Sequence, residues 1–335
     1  LFAGHNGVCV IQTRRNACAL SQAISKPETA DQFRDAVRQR FQQVADMGIN
    51  TVYLHLRAFG DAYYQSALFP PAKEVGDYDP FSILLEEAHQ LHLSVHGWVN
   101  PLRLQKDSAM AAMPDSYPVK QWYSDPQKNG TYLCKVGEYW WLNPAYPEVR
   151  QLVADGVAEI LAQYHVDGIH LDDYFYPTTD PSIDAVQFAA SGETDLTAWR
   201  RANVTRLVKA VHDAVKAADP TLRFGVSPQG NPDNDRNEQY TDLSVWLTAS
   251  GADAVVDYLC PQIYWGYGYT LSSGSTRFAF ENITAEWLAL PRAESTALYF
   301  GLGAYRVGVG DGGANADSVS QWCTGSALAR QVTDL

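Results

Sequence analysis

Residues 167–177 read Asp-Gly-Ile-His-Leu-Asp-Asp-Tyr-Phe-Tyr-Pro, so two adjacent carboxylates and three aromatic rings close a short apolar run. Paired carboxyl groups carry out acid/base chemistry on glycosidic bonds, and flat rings beside them stack on sugar faces. An acid at the C-terminal end of a parallel barrel strand lies at the mouth, where the βα loops assemble active sites. The chemistry expected is glycoside hydrolysis.

Strand alternation distributes the roles. Residues 168, 170, 172 and 174 share one face, and Ile169 and Leu171 belong beneath surrounding helices, which sends His170, Asp172 and Tyr174 into the barrel. Asp172 is the leading catalytic candidate. Its partner must stand about 5–5.5 Å away for a retaining mechanism or about 6.5–9.5 Å away for an inverting one. Asp173 serves if the strand breaks at its end and the side chain swings over the rim; otherwise it caps the turn. Glu138, in Gly-Glu-Tyr-Trp-Trp-Leu-Asn-Pro, is the alternative, because aromatic neighbours would desolvate it and raise its pKa toward that of a general acid.

The same alternation nominates substrate-binding residues at other strand ends: His55 and Arg57, then His96, Trp98 and Asn100, then Ser227 and Gln229, and finally Gln262 and Tyr264 with Trp265. Amides and hydroxyls suit sugar hydroxyls, while Trp98, Tyr174, Tyr264 and Trp265 offer ring faces to a pyranose.

The elements that must position these groups are marked along the chain. Thr29 and Gln32 resemble a capping box ahead of Phe33, Val37, Phe41 and Val44 at helical spacing, with Gly48 as the stop and a strand at 51–57. Asp79-Pro80 opens a helix before a strand at 93–99, and Pro147 opens another before the Asp167 strand. Helices over 195–218, 240–249 and 281–289 precede strands at 222–227, 256–264 and 297–304, with a weaker strand at 8–13. Alternating helices and strands give right-handed βαβ units and a parallel sheet. We expect one α/β domain over residues 1–335, a (β/α)8 TIM-type barrel incomplete at its first and last strands.

The 335 residues, 46% hydrophobic, suffice for one large core. A formal charge of -13 argues against nucleic acid or an anionic membrane as partner, since both require a cationic surface. No apolar run reaches transmembrane length, and no signal segment opens the chain, which starts without Met and reads as a fragment. Cys9, Cys18, Cys134, Cys260 and Cys323 show no CxxC pair, so neither a zinc site nor a disulfide framework is expected, and no cofactor is called for.

The stretches 57–70, 87–103, 142–177, 224–230 and 257–265 resemble glycosyl-hydrolase-like family 10. That resemblance, over roughly residues 28 to 310, implies a (β/α)8 barrel, extracytoplasmic in bacteria, that hydrolyses glycosidic bonds, with peptidoglycan glycan strands as the best candidate substrate. The central strand is also similar to the Asp-Gly-x-Asp-x-Asp-x-Glu strand of family 18 chitinases. There His170 replaces the middle Asp and Tyr174 stands at the acid position, so substrate-assisted catalysis is not expected.

Two other readings stay open. A glycan-binding barrel without turnover would use Asp172 only to hydrogen-bond a sugar. A metal-dependent polysaccharide deacetylase would use His92, His96, Asp172 and Asp173; two histidines four apart on an extended segment lie about 13 Å apart, too far to chelate one ion, whereas a His92 that ends the preceding helix leaves chelation less clearly excluded.

Overall fold

A computed structural model of the chain describes residues 6–9, 29–73 and 75–335. Strand β1 (Asn6–Cys9) covers the start of the strand expected at 8–13; residues 10–13 and Cys18 lie outside the described residues. Helix α1 (Ala30–Asp46) begins at Thr29, whose hydroxyl accepts from the Gln32 amide at 3.2 Å, and it buries Phe33, Val37 and Phe41. Strand β2 (Thr51–Arg57) follows, then α2 (Pro80–Gln90), capped by Asp79, and β3 (Ser94–Val99). Arg34 and Arg38 of α1 converge on the buried Glu87 of α2, each at 2.8 Å, which fixes that helix pair.

Between β3 and the next barrel helix the chain inserts a small antiparallel sheet of order β4-β6-β5, made of β4 (Arg103–Lys106), β5 (Leu133–Val136) and β6 (Tyr139–Leu142). Helix α3 (Pro147–Gln163) then leads into β7 (Gly168–Asp172), and α4 (Leu196–Ala218) into β8 (Arg223–Ser227). After the short helices α5 (Pro232–Asn237) and α6 (Leu243–Thr248) come β9 (Tyr258–Leu259) and β10 (Gln262–Ile263). These two are halves of one strand, interrupted at Cys260-Pro261, where proline supplies no amide to the ladder. Helix α7 (Phe280–Ala289), β11 (Ala297–Leu302) and α8 (Ser326–Asp334) complete the chain.

All pairings of the main sheet are parallel, in the order β2-β3-β7-β8-β9-β11-β1, with β10 also pairing β11. The strands curl into part of a TIM-type barrel, and among the described residues no pairing joins β1 to β2. The outer face carries Val95, Val99, Ile169, Leu171, Phe224, Val226, Leu298 and Phe300, buried beneath the helices. A parallel sheet covered in this way buries both faces.

The inner face is filled by rings. His96, Trp98, His170 and Tyr258 pack with Tyr53, His55 and Tyr299; His55 stacks on Trp98 with centroids 4.4 Å apart, and Tyr53 meets His170 at 4.7 Å. Glycines make the room. A Cβ at Gly168 would strike the His96 ring, and one at Gly225 would strike Tyr258.

Candidate active site

Strand β7 ends at Asp172, whose register partner on β8 is Ser227; His170 lies one layer deeper beside Trp98 and Gly225. The Asp172 carboxylate is 5% exposed and its Oδ1 accepts from the Asp173 amide at 2.9 Å and from Gln262 Nε2 at 3.2 Å. The same Gln262 nitrogen donates to the Ser227 carbonyl at 3.1 Å, so both neighbouring strand ends fix this amide. Both contacts to the Asp172 carboxyl come from N–H donors.

Alternation stops governing the chain at Asp173. The Phe175 amide returns to the Asp173 carbonyl at 2.9 Å, a tight turn that releases Asp173 from the outer face and leaves it half-buried at the rim. Its charge, with that of Asp172, adds to burial in pushing the Tyr264 phenol well above its ordinary value. Asp172, Asp173, Gln262 and Tyr264 therefore gather at the C-terminal mouth of the strands. Tyr174 follows, packed against Trp141 and over the Arg103 guanidinium, whose carbon lies 5.1 Å from the Tyr174 centroid. Phe59, Tyr139 and Trp141 complete an aromatic box round Arg103, a residue the sequence reading did not single out.

Several expected site residues lie elsewhere. Arg57 faces outward: the ladder shifts register between His55 and Arg57, so Arg57 pairs with outward-facing Val99. Its guanidinium lies under α3 beside Gly156 and 4.1 Å from the Phe69 centroid, and burial lowers its pKa. A β-bulge turned the side chain round.

His96 and His170 face inward but too deep to meet a sugar. Their Nδ1 atoms reach the Tyr258 hydroxyl at 2.8 and 3.0 Å. One phenol proton serves only one ring, so the hydroxyl donates to one imidazole and accepts an N–H from the other. Burial depresses both imidazoles, His96 to about 4. Trp98, 6% exposed, belongs to the same floor, with the half-buried His55 stacked on it. Asn100 is buried and donates from Nδ2 to the Ala58 carbonyl at 3.0 Å, bracing the ends of β2 and β3.

Glu138 sits in the two-residue turn between β5 and β6, exposed and paired with Lys106 at 2.6 Å. That hydrogen bond lowers its pKa, the reverse of the shift expected of a general acid. Gln229 remains near the mouth through its isolated bridge to Gln262, and its side-chain oxygen faces Asn234 at 3.4 Å. Trp265 stacks on Phe278 at 5.0 Å.

The deacetylase ligands do not converge. His92 is exposed at the end of α2 in a left-handed conformation (φ 56°), whereas His96 is in the barrel floor. Among the described residues no group of three His, Cys, Asp or Glu side chains is placed to hold a metal ion.

Parallel strands with covering helices and two carboxylates at the mouth define a TIM-type barrel with an acidic rim. Residues 24–318 match the family model described as Glycosyl hydrolase-like 10, and the chain belongs to that family. It is similar to glycosyl hydrolase YngK of Bacillus subtilis, at 28% identity over 87% of this chain and 58% of that protein, so it spans little more than half of that relative. Glycosyl hydrolase DigH of Escherichia coli K12 is 28% identical over 85% of this chain and 69% of its own length. Among solved structures, the glycoside hydrolase domain of PgaB (BpsB) from Bordetella bronchiseptica aligns over 92% of this chain and 96% of that one, with TM-score 0.55 and 12% identity, a likeness of fold. No described helix is long and apolar enough to cross a membrane.

Proposed function

We propose that this protein hydrolyses glycosidic bonds in a bacterial polysaccharide, with Asp172 and Asp173 as its carboxyl groups. The observation that carries the reading is the meeting of both acids, the Gln262 amide and Tyr264 at the mouth end of β7. Asp172, held by two N–H donors, is placed to stabilise or attack an oxocarbenium-like centre, and Asp173 at the rim is the acid/base partner. Gln229 and Gln262 present neutral amides to hydroxyl groups, and Tyr174, Tyr264 and Trp265 offer ring surface.

Peptidoglycan glycan strands are the substrate we favour. Support comes from membership of a glycosyl-hydrolase-like family with bacterial relatives named as glycosyl hydrolases. Such a substrate places the working protein outside the cytoplasm. Incubation with purified glycan strands, followed by mass spectrometry, tests the reading: shortened oligosaccharides are expected. Retention of the strands without new ends would leave a glycan-binding barrel, and loss of acetyl groups would mean deacetylation.

A further inference from the structure

Resting on that reading, we propose that Asp235 is a positioning residue of the site: its carboxyl anchors the turn after β8 and so holds Gln262 where its amide reaches Asp172. Asp235 lies on α5 and is 0% exposed. Its Oδ1 accepts from the Gln229 amide at 2.9 Å. Gln229 bridges Gln262, whose backbone amide bonds the Pro228 carbonyl at 3.0 Å, and the Gln262 side chain ends on Asp172. Asp235 thus lies three contacts from the central carboxylate.

Its other oxygen, Oδ2, is buried with no hydrogen-bond partner among the described residues. Packing alone would favour an apolar side chain there, because an unsatisfied buried carboxyl oxygen is costly. The segment behind it is also constrained: the Thr241 amide closes onto the Asp235 carbonyl at 2.8 Å, and Tyr240 adopts a left-handed φ of 57°.

Burial, with the charge of Asp173 beyond it, raises the Asp235 carboxyl well above its ordinary value. Asp173 is the charged group acting on it from another element; on its own helix Asp233 turns out to Arg277 at 2.5 Å and Arg236 is exposed. Ionisation of Asp235 at high pH would put a third negative charge behind the pair and disturb the Gln229 turn.

The test uses the full chain, wild type and the variants Asp235→Asn, Asp235→Leu and Asp172→Asn, with near-ultraviolet circular dichroism to establish folding. Asp235→Leu is expected to lower kcat on glycan strands about tenfold or more while KM stays within about threefold. Asp235→Asn is expected to move the alkaline limb of the kcat profile upward by about one pH unit or more. Carbon-13 titration of labelled aspartates gives an activity-independent reading. The signal missing from Asp235→Asn should titrate above the ordinary aspartate range, and the signal missing from Asp172→Asn should change its midpoint in Asp235→Leu, which loses the acceptor for the Gln229 amide, and hold it in Asp235→Asn, which keeps one. An unaltered Asp172 midpoint in Asp235→Leu, with a pH profile of unchanged shape in Asp235→Asn and only a lower melting temperature, overturns the proposal. If wild type releases no product the glycosidase reading fails, while the two carboxyl midpoints still decide the Asp235 assignment. Should Asp235→Leu not fold, Asp235→Ala, which also lacks the acceptor, decides by the same two readings.

Discussion

Gln262 Nε2 lies 3.2 Å from Asp172 Oδ1 while also bonded to the Ser227 carbonyl, so three barrel strands meet at one carboxylate. A hydrogen bond to a charged group contributes about 1.5–3 kcal/mol, so Gln262→Ala should lower kcat about 10- to 100-fold with little change in melting temperature. Gln262→Glu replaces the donor by a like charge and raises the proton affinity of Asp172. The acidic limb of the pH–rate profile should then move upward by about one unit or more. An unmoved limb would separate Gln262 from the chemistry.

The histidine floor predicts acid sensitivity. Burial holds His96 near 4 from an ordinary 6.5, so the unfolded chain takes up a proton that the folded chain refuses. Stability is full above pH about 6.5 and falls as pH drops toward 4, by about 3 kcal/mol in total from this group. His170 is depressed in the same sense. Urea midpoints measured between pH 7.5 and 4.5 should show this slope, and His96→Gln should flatten it. An equal slope in the variant would contradict the assignment.

Gly156 lies in the middle of α3, where alanine ordinarily stabilises a helix by about 1 kcal/mol. Here a Cβ would strike the Arg57 guanidinium and the Phe69 ring, both buried. Gly156→Ala is therefore expected to destabilise by about 1–3 kcal/mol, read from denaturant midpoints. A gain in stability would show that Arg57 is not packed beneath this helix.

Asp173 and Glu138 were rivals for the second carboxyl role, and their surroundings separate them. Asp173→Asn should lower kcat by about 10²- to 10⁴-fold. Glu138→Gln, which removes only the exposed contact with Lys106, should keep kcat within about twofold. The opposite ranking, measured on the same glycan strands, would reverse the assignment.

The helix–strand rhythm was legible because caps mark it: Thr29, Asp79-Pro80 and Pro147 stand where α1, α2 and α3 begin. Alternation also put Asp172 and His170 on the inner face. What it does not encode is depth, so His96, His170 and Trp98 read as cleft residues although they pack the floor. Nor does it encode bulges, and the register shift after His55 turned Arg57 to the helices. Glu138 was misread for want of the hairpin, although Gly137, at φ 61° in a two-residue loop between apolar runs, was a usable signal. Asp235 gave no signal, since its burial depends on how α5 packs over the strand ends. The Arg103 box likewise assembles four rings from three separate segments.

The most direct test of the account is the product spectrum of purified glycan strands incubated with wild type and with Asp172→Asn. The account predicts shortened oligosaccharides from wild type and none above background from the variant, at equal melting temperature. Undiminished cleavage by folded Asp172→Asn would contradict it.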